Sequence, residues 1–555
     1  MRNRITRAAL GVSLVGALGL PAAIFPTAAH ATGWVATGTR AEPTAGLTDL
    51  GPLAPGRRLA VTVALRPRNQ AAMYRDISAG TVLSRQQFQD RFAPGDTAVA
   101  QVVSYLGHEG FTGISVAANH LQVTATGTAR QAETAFDTTL HALRLPARWG
   151  SRQVFANLSA ARVPSGLGST VLSVLGLSDV GTMSLDHLAA TNPPSSCVLP
   201  GVGYPCVYNP QGFWKAYDAA GTATGAGTPI AILAEGDLNP VVKDLRAEEA
   251  ANGLPAVPVS TIQTGPASPD TSGVDEWDLD TQYSTGMAGT VGHLYIYDAT
   301  SLTDSDISRE VNRFVSDDLA RAGSASFGEC EYQAYLDGSM LADDASLAEA
   351  VLQGQTLFAS AGDTGGFCPV APNNGVPAGV PDVNYPASSP YVVSVGGTTL
   401  ITNSQGGYSR EIAWLAGGGG VSLFESAPYW QAADGSLYAK LSTGCQVQGC
   451  GRTVPDVSND ADPNSGANVY IGGTPTAVGG TSLASPLTLG EWARMETAAG
   501  NRLGFAAPLF YKNMGSAAFH DITLGDTGPY PATPGYDLAT GIGSLDVAQA
   551  VKIIG

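Results

Sequence analysis

The 555 residues predict an α/β fold: a mostly parallel sheet with helices on both faces, preceded by a smaller α+β unit. Three observations lead there. The length exceeds one ordinary core and calls for two or more domains. Beyond Tyr208, continuous apolar runs such as Ile230–Ala234 (IAILA) alternate with helical stretches, as in strands buried on both faces. Charge also divides the chain: residues 1–189 carry 16 basic and 10 acidic side chains, and residues 190–555 carry 13 and 37.

The chain opens with a basic stretch, Met1–Arg7, followed by apolar residues from Ala8 to Phe25 and a small-x-small triplet at Ala29–Ala31. This reads as a secretory signal peptide over residues 1–31, not a membrane anchor. Residues 32–57, rich in Gly, Thr and Pro, are expected to be an irregular lead-in. Strands are then expected at Leu59–Leu65, Ile114–Ala117, Leu121–Thr126 and Val154–Phe155. Helices are expected at Gln86–Ala93, Asp96–Leu106 and Ala129–Phe136, the second with Val99, Val102, Val103 and Leu106 at helical spacing. Together these make a small separate unit that ends in an exposed linker, Ala190–Ser196 (ATNPPSS). In the larger unit, strands are expected at Ile230–Ala234, Val291–Tyr297, Gly323–Phe327, Thr356–Ser360, Tyr391–Val395 and Val469–Ile471. Helices are expected at Asp304–Ala322 and Leu341–Gly354.

Only 14% of residues are charged and 68 are glycine, a closely packed globular composition and not a disordered one. A net charge of −18, concentrated after residue 190, argues against a nucleic-acid partner and suits an acidic medium. Export would permit disulfides among the six cysteines. Proximity pairs Cys197 with Cys206, Cys445 with Cys450 and Cys330 with Cys368, one of several possible connectivities. Scattered histidines and the lack of C-x-x-C make a metal cluster unexpected.

The segment Val478–Pro486 (VGGTSLASP) places Ser482 at the mouth of a buried helix, as a serine nucleophile would sit. None of the seven histidines stands in the setting a histidine base would need, so the search turns to carboxylates. Asp275–Asp280 (DEWDLD) holds Glu276 and Asp280 four apart, on one face of a helix. Two carboxylates so close cannot both ionise cheaply, and one can hold a proton in acid. A solvated acidic helix start is the plainer reading of the same residues. Phe358–Gly366 (FASAGDTGG) puts Asp363 in a turn at the carboxyl end of a strand, where functional side chains gather, although acidic turn residues are common anyway. Near the C-terminus, Asp521 and Asp537 flank a Gly/Pro-rich loop that would suit calcium or be held by its own backbone bonds.

Taken together, these segments closely resemble one family, the sedolisins or serine-carboxyl peptidases, which include kumamolisin-like enzymes. Asn384–Leu400, Gly417–Phe424, Val454–Ser458 (VPDVS), Phe519–Thr523 and Pro534–Ser544 add to the match. The resemblance implies a subtilisin-like sheet, with residues 32–190 as an inhibitory, ferredoxin-like activation prosegment and residues 191–555 as the peptidase. It implies Ser482 as nucleophile, Glu276 as base, Asp280 as its proton-sharing partner and Asp363 in the oxyanion region. It also implies one structural calcium ion held by the carboxylates of Asp521 and Asp537 and the carbonyls of Ile522, Thr533 and Gly535. Thr533 departs from a common glycine, Gly479 from a common serine, and Phe327 from a frequent tryptophan near the catalytic carboxylates.

The expected function is a secreted endopeptidase acting on proteins or peptides in acid, monomeric, without membrane anchor, and inhibited by its own prosegment. Alternatives are a tripeptidyl-peptidase of the same family, a histidine-based subtilisin-like peptidase with His293 as the remotely placed candidate, or an inactive binding module. Activation is expected to leave a mature chain starting between about Ala189 and Tyr208. Opposite charges would hold the units together, and acid would charge His108, His120, His141 and His187 so that they repel one another.

Overall fold

The computed structural model describes residues 33–189, 206–368, 379–432 and 451–555. At its centre is an eight-stranded sheet. In spatial order its strands are Val259–Gln263, Val291–Ala299, Gly225–Glu235, Ala322–Ala325, Thr356–Ser360, Val393–Thr402 and Tyr408–Ala413, and Val457–Asp460 also pairs with Val393–Thr402. Neighbours run parallel except for the antiparallel Tyr408–Ala413. Ile230 to Ala234 are wholly buried, because side chains on both sides of such a strand meet covering elements. Helices Val274–Ala288 and Thr481–Ala498 pack on each other and on this sheet, and their near-complete burial accounts for their weak amphipathic pattern.

The expected strand Gly323–Phe327 is two strands, Ala322–Ala325 and Phe327–Cys330, broken at Ser326. The break turns the chain out of the sheet, and Phe327–Cys330 pairs instead with Ser184–Leu185 and Asn384–Tyr385.

Residues 33–189 form a second α/β unit with its own core, including Val61, Val63, Val102, Leu106, Val123 and Phe136. A four-stranded antiparallel sheet runs Thr112–Val116, Gln122–Thr128, Arg58–Leu65, Val171–Leu175. Helices Gln70–Ser78, Arg85–Arg91, Asp96–His108 and Ala129–Ala135 lie between these strands in the chain. Two of the helices open on capping boxes, Ser84 with Gln87 and Thr128 with Gln131. The lead-in is less irregular than its composition suggests. Trp34–Ala36 pairs with Arg162–Pro164, and Thr48–Pro52 joins Leu140–Arg144 and Gln153–Asn157. The Gly and Pro of Thr48–Pro52 hide a strand that tertiary pairing holds.

The two units meet along helices Asp304–Asp317 and Ser339–Gln353. Gln122 donates to the Ser308 carbonyl at 2.9 Å, Asn119 to Asn312 and Glu349 at 2.7 Å each, and the Leu83 N–H to the Leu352 carbonyl at 2.6 Å. Arg40 donates to the Tyr335 carbonyl at 2.9 Å and lies 3.7 Å over that ring. Most of these contacts are neutral or one-sided. Among the described residues, the one ion pair between the units is His187 with Glu276. Arg85 of the first unit also lies near enough to Asp318 and Glu349 of the second to favour their charged forms, so charge reaches across this interface at particular places.

Cys330 and Cys368 form the expected disulfide. Cys206 is also disulfide-bonded, while Cys197, Cys445, Cys450, the 190–196 linker and the 1–31 leader lie outside the described residues. No helix among the described residues is long and apolar enough to cross a membrane.

Candidate active site

Ser482 is the second residue of the helix Thr481–Ala498 and is fully buried. Gly480 precedes the helix with φ of 117°, a conformation side chains rarely adopt. A Cβ there would lie 2.1 Å from the Asp186 carbonyl oxygen, 2.6 Å from Asp363 Oδ2 and 2.8 Å from the His187 Cα. Glycine is thus required, and these three groups crowd the start of the helix. Further along, Pro486 has no N–H to offer the Ser482 carbonyl four residues back. The Ser326 hydroxyl stands 3.4 Å from that carbonyl and donates to Asp280 Oδ1 at 2.6 Å.

Glu276 and Asp280 sit one turn apart on the helix Val274–Ala288, both fully buried, so the solvated-helix reading does not hold. Burial first, then the Glu276 charge, raises the Asp280 carboxyl well above the usual range, and Oδ2 has no partner. Glu276 Oε2 meets His187 Nδ1 at 2.5 Å, while Oε1 is unpartnered. The Ser482 hydroxyl points to the Ser326 carbonyl at 3.4 Å. Asp363 Oδ1 accepts from the Thr481 N–H at 2.8 Å and its hydroxyl at 2.9 Å, while Oδ2 is buried without a partner. Burial and the nearby Asp186 raise this carboxyl well above the usual range, against the pull of the Thr481 bonds. Three elements, the helices Val274–Ala288 and Thr481–Ala498 and the turn after the strand Thr356–Ser360, therefore carry the four expected residues.

Two departures now have physical content. Gly479 leaves no room for serine, since a Cβ would meet the Ala461 carbonyl at 2.4 Å and Pro463 N at 2.5 Å. Phe327 is buried edge-on to Trp277, with ring centroids 6.4 Å apart, and offers no N–H to the carboxylates. His293 lies on the strand Val291–Ala299, bonded to Ser260 at 2.9 Å and stacked on Tyr295, with no contact to Ser482.

Sequence reasoning missed Asp186 and His187. Ser482 N–H donates to the Asp186 carbonyl at 3.0 Å, and Ser360 donates to Asp186 Oδ2 at 2.8 Å. Burial opposes charge on His187, but the bond and charge of Glu276, with Asp275 and Asp363 beyond, hold it above its ordinary range. The signal was an isolated Asp-His pair in a stretch with few charges. The four histidines expected to charge in acid have carboxylate neighbours. Each faces a carboxylate: His108 Glu109, His120 Asp96, His141 Asp49 and His187 Glu276.

At the C-terminal loop, Asp521 accepts from the Gly535 N–H at 3.0 Å and Asp537 from the Thr533 N–H at 2.6 Å. Both Asp521 oxygens face the Gly535 N–H, and Asp537 also accepts from the Ala539 and Thr540 N–H groups and the Thr540 hydroxyl, so both carboxylates are held by donors of the loop itself.

Residues 45–180 match the family model described as the pro-kumamolisin activation domain, and residues 273–504 match the subtilase family. The chain is 36% identical to sedolisin from Pseudomonas sp. (strain 101), over 95% of this chain and 93% of that protein. It belongs to the sedolisin family. Xanthomonalisin from Xanthomonas sp. (strain T-22) is 35% identical over 88% of this chain and 65% of its own length. The solved structure of Pseudomonas sedolisin, a serine-carboxyl proteinase complexed with pseudo-iodotyrostatin, aligns at a TM-score of 0.58 and 38% identity, covering 63% of this chain and 98% of that one. The fold shared with this family is a largely parallel α/β sheet behind an N-terminal α/β unit.

Proposed function

We propose that this sedolisin-family peptidase is a secreted proenzyme in which Ser482 cuts internal peptide bonds in acid, with Glu276, Asp280 and Asp363 as its carboxyl partners. The observation that carries the reading is the buried cluster at the start of the Ser482 helix. Glu276 Oε1 takes the Ser482 proton as Oγ attacks the substrate carbonyl, and Asp280 shares proton and charge with Glu276. The oxyanion is met by the Ser482 N–H and by Asp363, whose raised affinity for a proton makes it a donor in acid. Glu276 passes the proton to the leaving amine. Water then repeats the sequence on the acyl-enzyme, releasing the acid and restoring Ser482.

The activation unit spans residues 32–190 in this reading, after a leader over residues 1–31, and the peptidase spans 191–555. The match over 45–180 and the separate N-terminal core support that division. A ferredoxin-like reading of this unit is supported by the spatial order of its four antiparallel strands. The same unit inhibits the enzyme, supported by its residues at Ser482 and Glu276. Internal cutting is supported by a cleft in which Ser184–Ala189 continues past Ser482 on both sides. The Cys330–Cys368 disulfide suits an extracellular setting. Calcium, if bound by Asp521, Asp537 and the carbonyls of Ile522, Thr533 and Gly535, would tie the C-terminal loop and take no part in the chemistry.

The test is casein hydrolysis in acid by activated wild type, Ser482→Ala and Glu276→Gln, all checked for folding by circular dichroism. Ser482→Ala should be inactive, and Glu276→Gln should lose roughly 10²–10⁴ in turnover. Near-normal activity in either variant removes that residue from the mechanism.

A further inference from the structure

We propose that Asp186–His187 is the first bond this enzyme cuts in its own precursor, with Asp186 on the acyl side; this rests on the peptidase reading above. The Asp186 carbonyl is held as a reacting carbonyl should be. It accepts the Ser482 N–H at 3.0 Å, and it converges with the unpartnered Asp363 Oδ2 on the space beside Gly480. These are the two donors an oxyanion on Asp186 would need.

The flanking residues lie in an extended run on both sides. Ser184 and Leu185 pair antiparallel with Gly328 and Phe327, while Leu188 and Ala189 pair antiparallel with Gly479 and Val478. Pairing to strands of the enzyme before and after one peptide bond fixes that bond in register, as in recognition by strand addition. The Asp186 side chain is buried against Ser360, which donates to Oδ2 at 2.8 Å. On the leaving side, the His187 ring occupies Glu276 Oε2 at 2.5 Å. In this resting arrangement the Ser482 hydroxyl faces the Ser326 carbonyl and not Glu276, so the bond is presented but not yet attacked.

The step balances within the chain. Ser482 Oγ bonds to the Asp186 carbonyl carbon and its proton passes to Glu276. The bond to the His187 nitrogen breaks, and that nitrogen leaves as an amine with the proton from Glu276. Water then cleaves the Asp186 ester, giving a free carboxyl on Asp186 and returning the proton to Ser482. The mature chain first starts at His187, two residues before the window read from linker composition, and later trimming would shorten it.

The experiment follows full-length precursor shifted from neutral to acid pH, sampled at short times by intact mass and N-terminal sequencing, with casein hydrolysis measured in parallel. The earliest fragments should end at Asp186 and begin at His187, and the Ser482→Ala precursor should keep the bond intact over the same interval. Asp186→Lys, which buries a long cation against Ser360, should slow the cut at this bond by roughly ten- to a hundred-fold. Earliest products with other ends, an unchanged rate in Asp186→Lys, or a cut at Asp186–His187 in Ser482→Ala each overturn the proposal. Casein hydrolysis with Asp186–His187 still intact overturns this inference alone, whereas loss of casein hydrolysis as well sinks the peptidase reading beneath it.

Discussion

In residues 33–189 several acidic side chains lie beside a base near the surface: Asp49 at His141, Asp96 at His120, Asp137 at Arg162 and Asp76 at Arg91. Between 206 and 555 many are buried without one. Burial raises Asp278 to about 8 and Glu248 to about 8, and it raises Asp343, Asp460 and Glu310 well above the usual range. The excess acid of the second unit is therefore in good part an interior feature. Acid acts on these two kinds of carboxyl in opposite senses. Asp49 is held below its ordinary range by the Gly51 N–H and by His141, so its contribution is present above the unfolded pKa and is lost as pH falls. The buried carboxyls of the second unit are raised, so their contribution is complete in acid and is lost as pH rises.

The largest effect that would sharpen this contrast lies at Asp363, the proposed oxyanion donor. Asp363→Ala should lower kcat by roughly 10²–10³, the usual cost of one oxyanion donor. Asp363→Asn keeps a neutral donor at every pH, so it should retain more activity and extend the upper limb of the pH–rate profile. Identical profiles for wild type and Asp363→Asn would mean that protonation of Asp363 does not limit the reaction.

The next effect is on stability. Glu248 is buried, is raised from 4.5 to about 8, and accepts from Asn252 at 2.9 Å. Its contribution is complete below 4.5 and is lost as pH rises through about 8. Glu248→Gln keeps the acceptor without the charge. It should leave acid stability unchanged and raise stability above pH 8 by on the order of a few kcal/mol. Thermal melts across pH check this, and a wild-type chain most stable in alkali would overturn the contrast itself.

A bound cation would hold carboxylates in a third way, by neither a surface base nor a shared proton. If Asp521 and Asp537 hold calcium, a chelator should lower the melting temperature of wild type, with about 2.7 kcal/mol at stake where the ion stood at a hundred times its Kd. Asp521→Ala should melt lower from the outset and ignore the chelator. Equal melting temperatures in all four samples would leave the loop to its backbone bonds.

Much of this was legible in the sequence, and the failures have common physics. Ser482, Glu276, Asp280 and Asp363 stand in motifs whose local chemistry is distinctive, and parallel strands such as Ile230–Ala234 announce themselves by unbroken apolarity. Thr48–Pro52 was missed because pairing with Leu140–Arg144, far along the chain, holds a stretch of poor strand propensity. Ser326 was read as strand interior, although the break there is what aims its hydroxyl at Asp280. Asp186 and His187 were missed for a different reason. Their partners lie 174 and 89 residues away, and an isolated Asp-His pair in a stretch with few charges is too faint a local pattern to mark contacts so distant.

The smallest expected effect tests how the two units are held. If their opposite net charges supplied the attraction, salt would release the first unit, since exposed charges are screened beyond about 10 Å at 0.1 M. The contacts seen are of another kind: Asn119 with Asn312 and Glu349, Gln122 with a carbonyl, Leu83 with a carbonyl, and strand pairing at Ser184–Leu185 and Leu188–Ala189. Hydrogen bonds of this sort are short-ranged and partly buried, so ionic strength reaches them weakly. His187 with Glu276 is an ion pair, but the Glu276 carboxylate is fully buried and mobile ions do not approach it. Activation of the precursor at one fixed acid pH should therefore proceed at nearly the same rate in low and high salt, within about a factor of two to three. The rate is read by the appearance of mature chain on a gel. Acceleration of ten-fold or more in high salt would show that long-range attraction holds the units together, and the comparison drawn from their carboxylates would no longer explain how acid separates them.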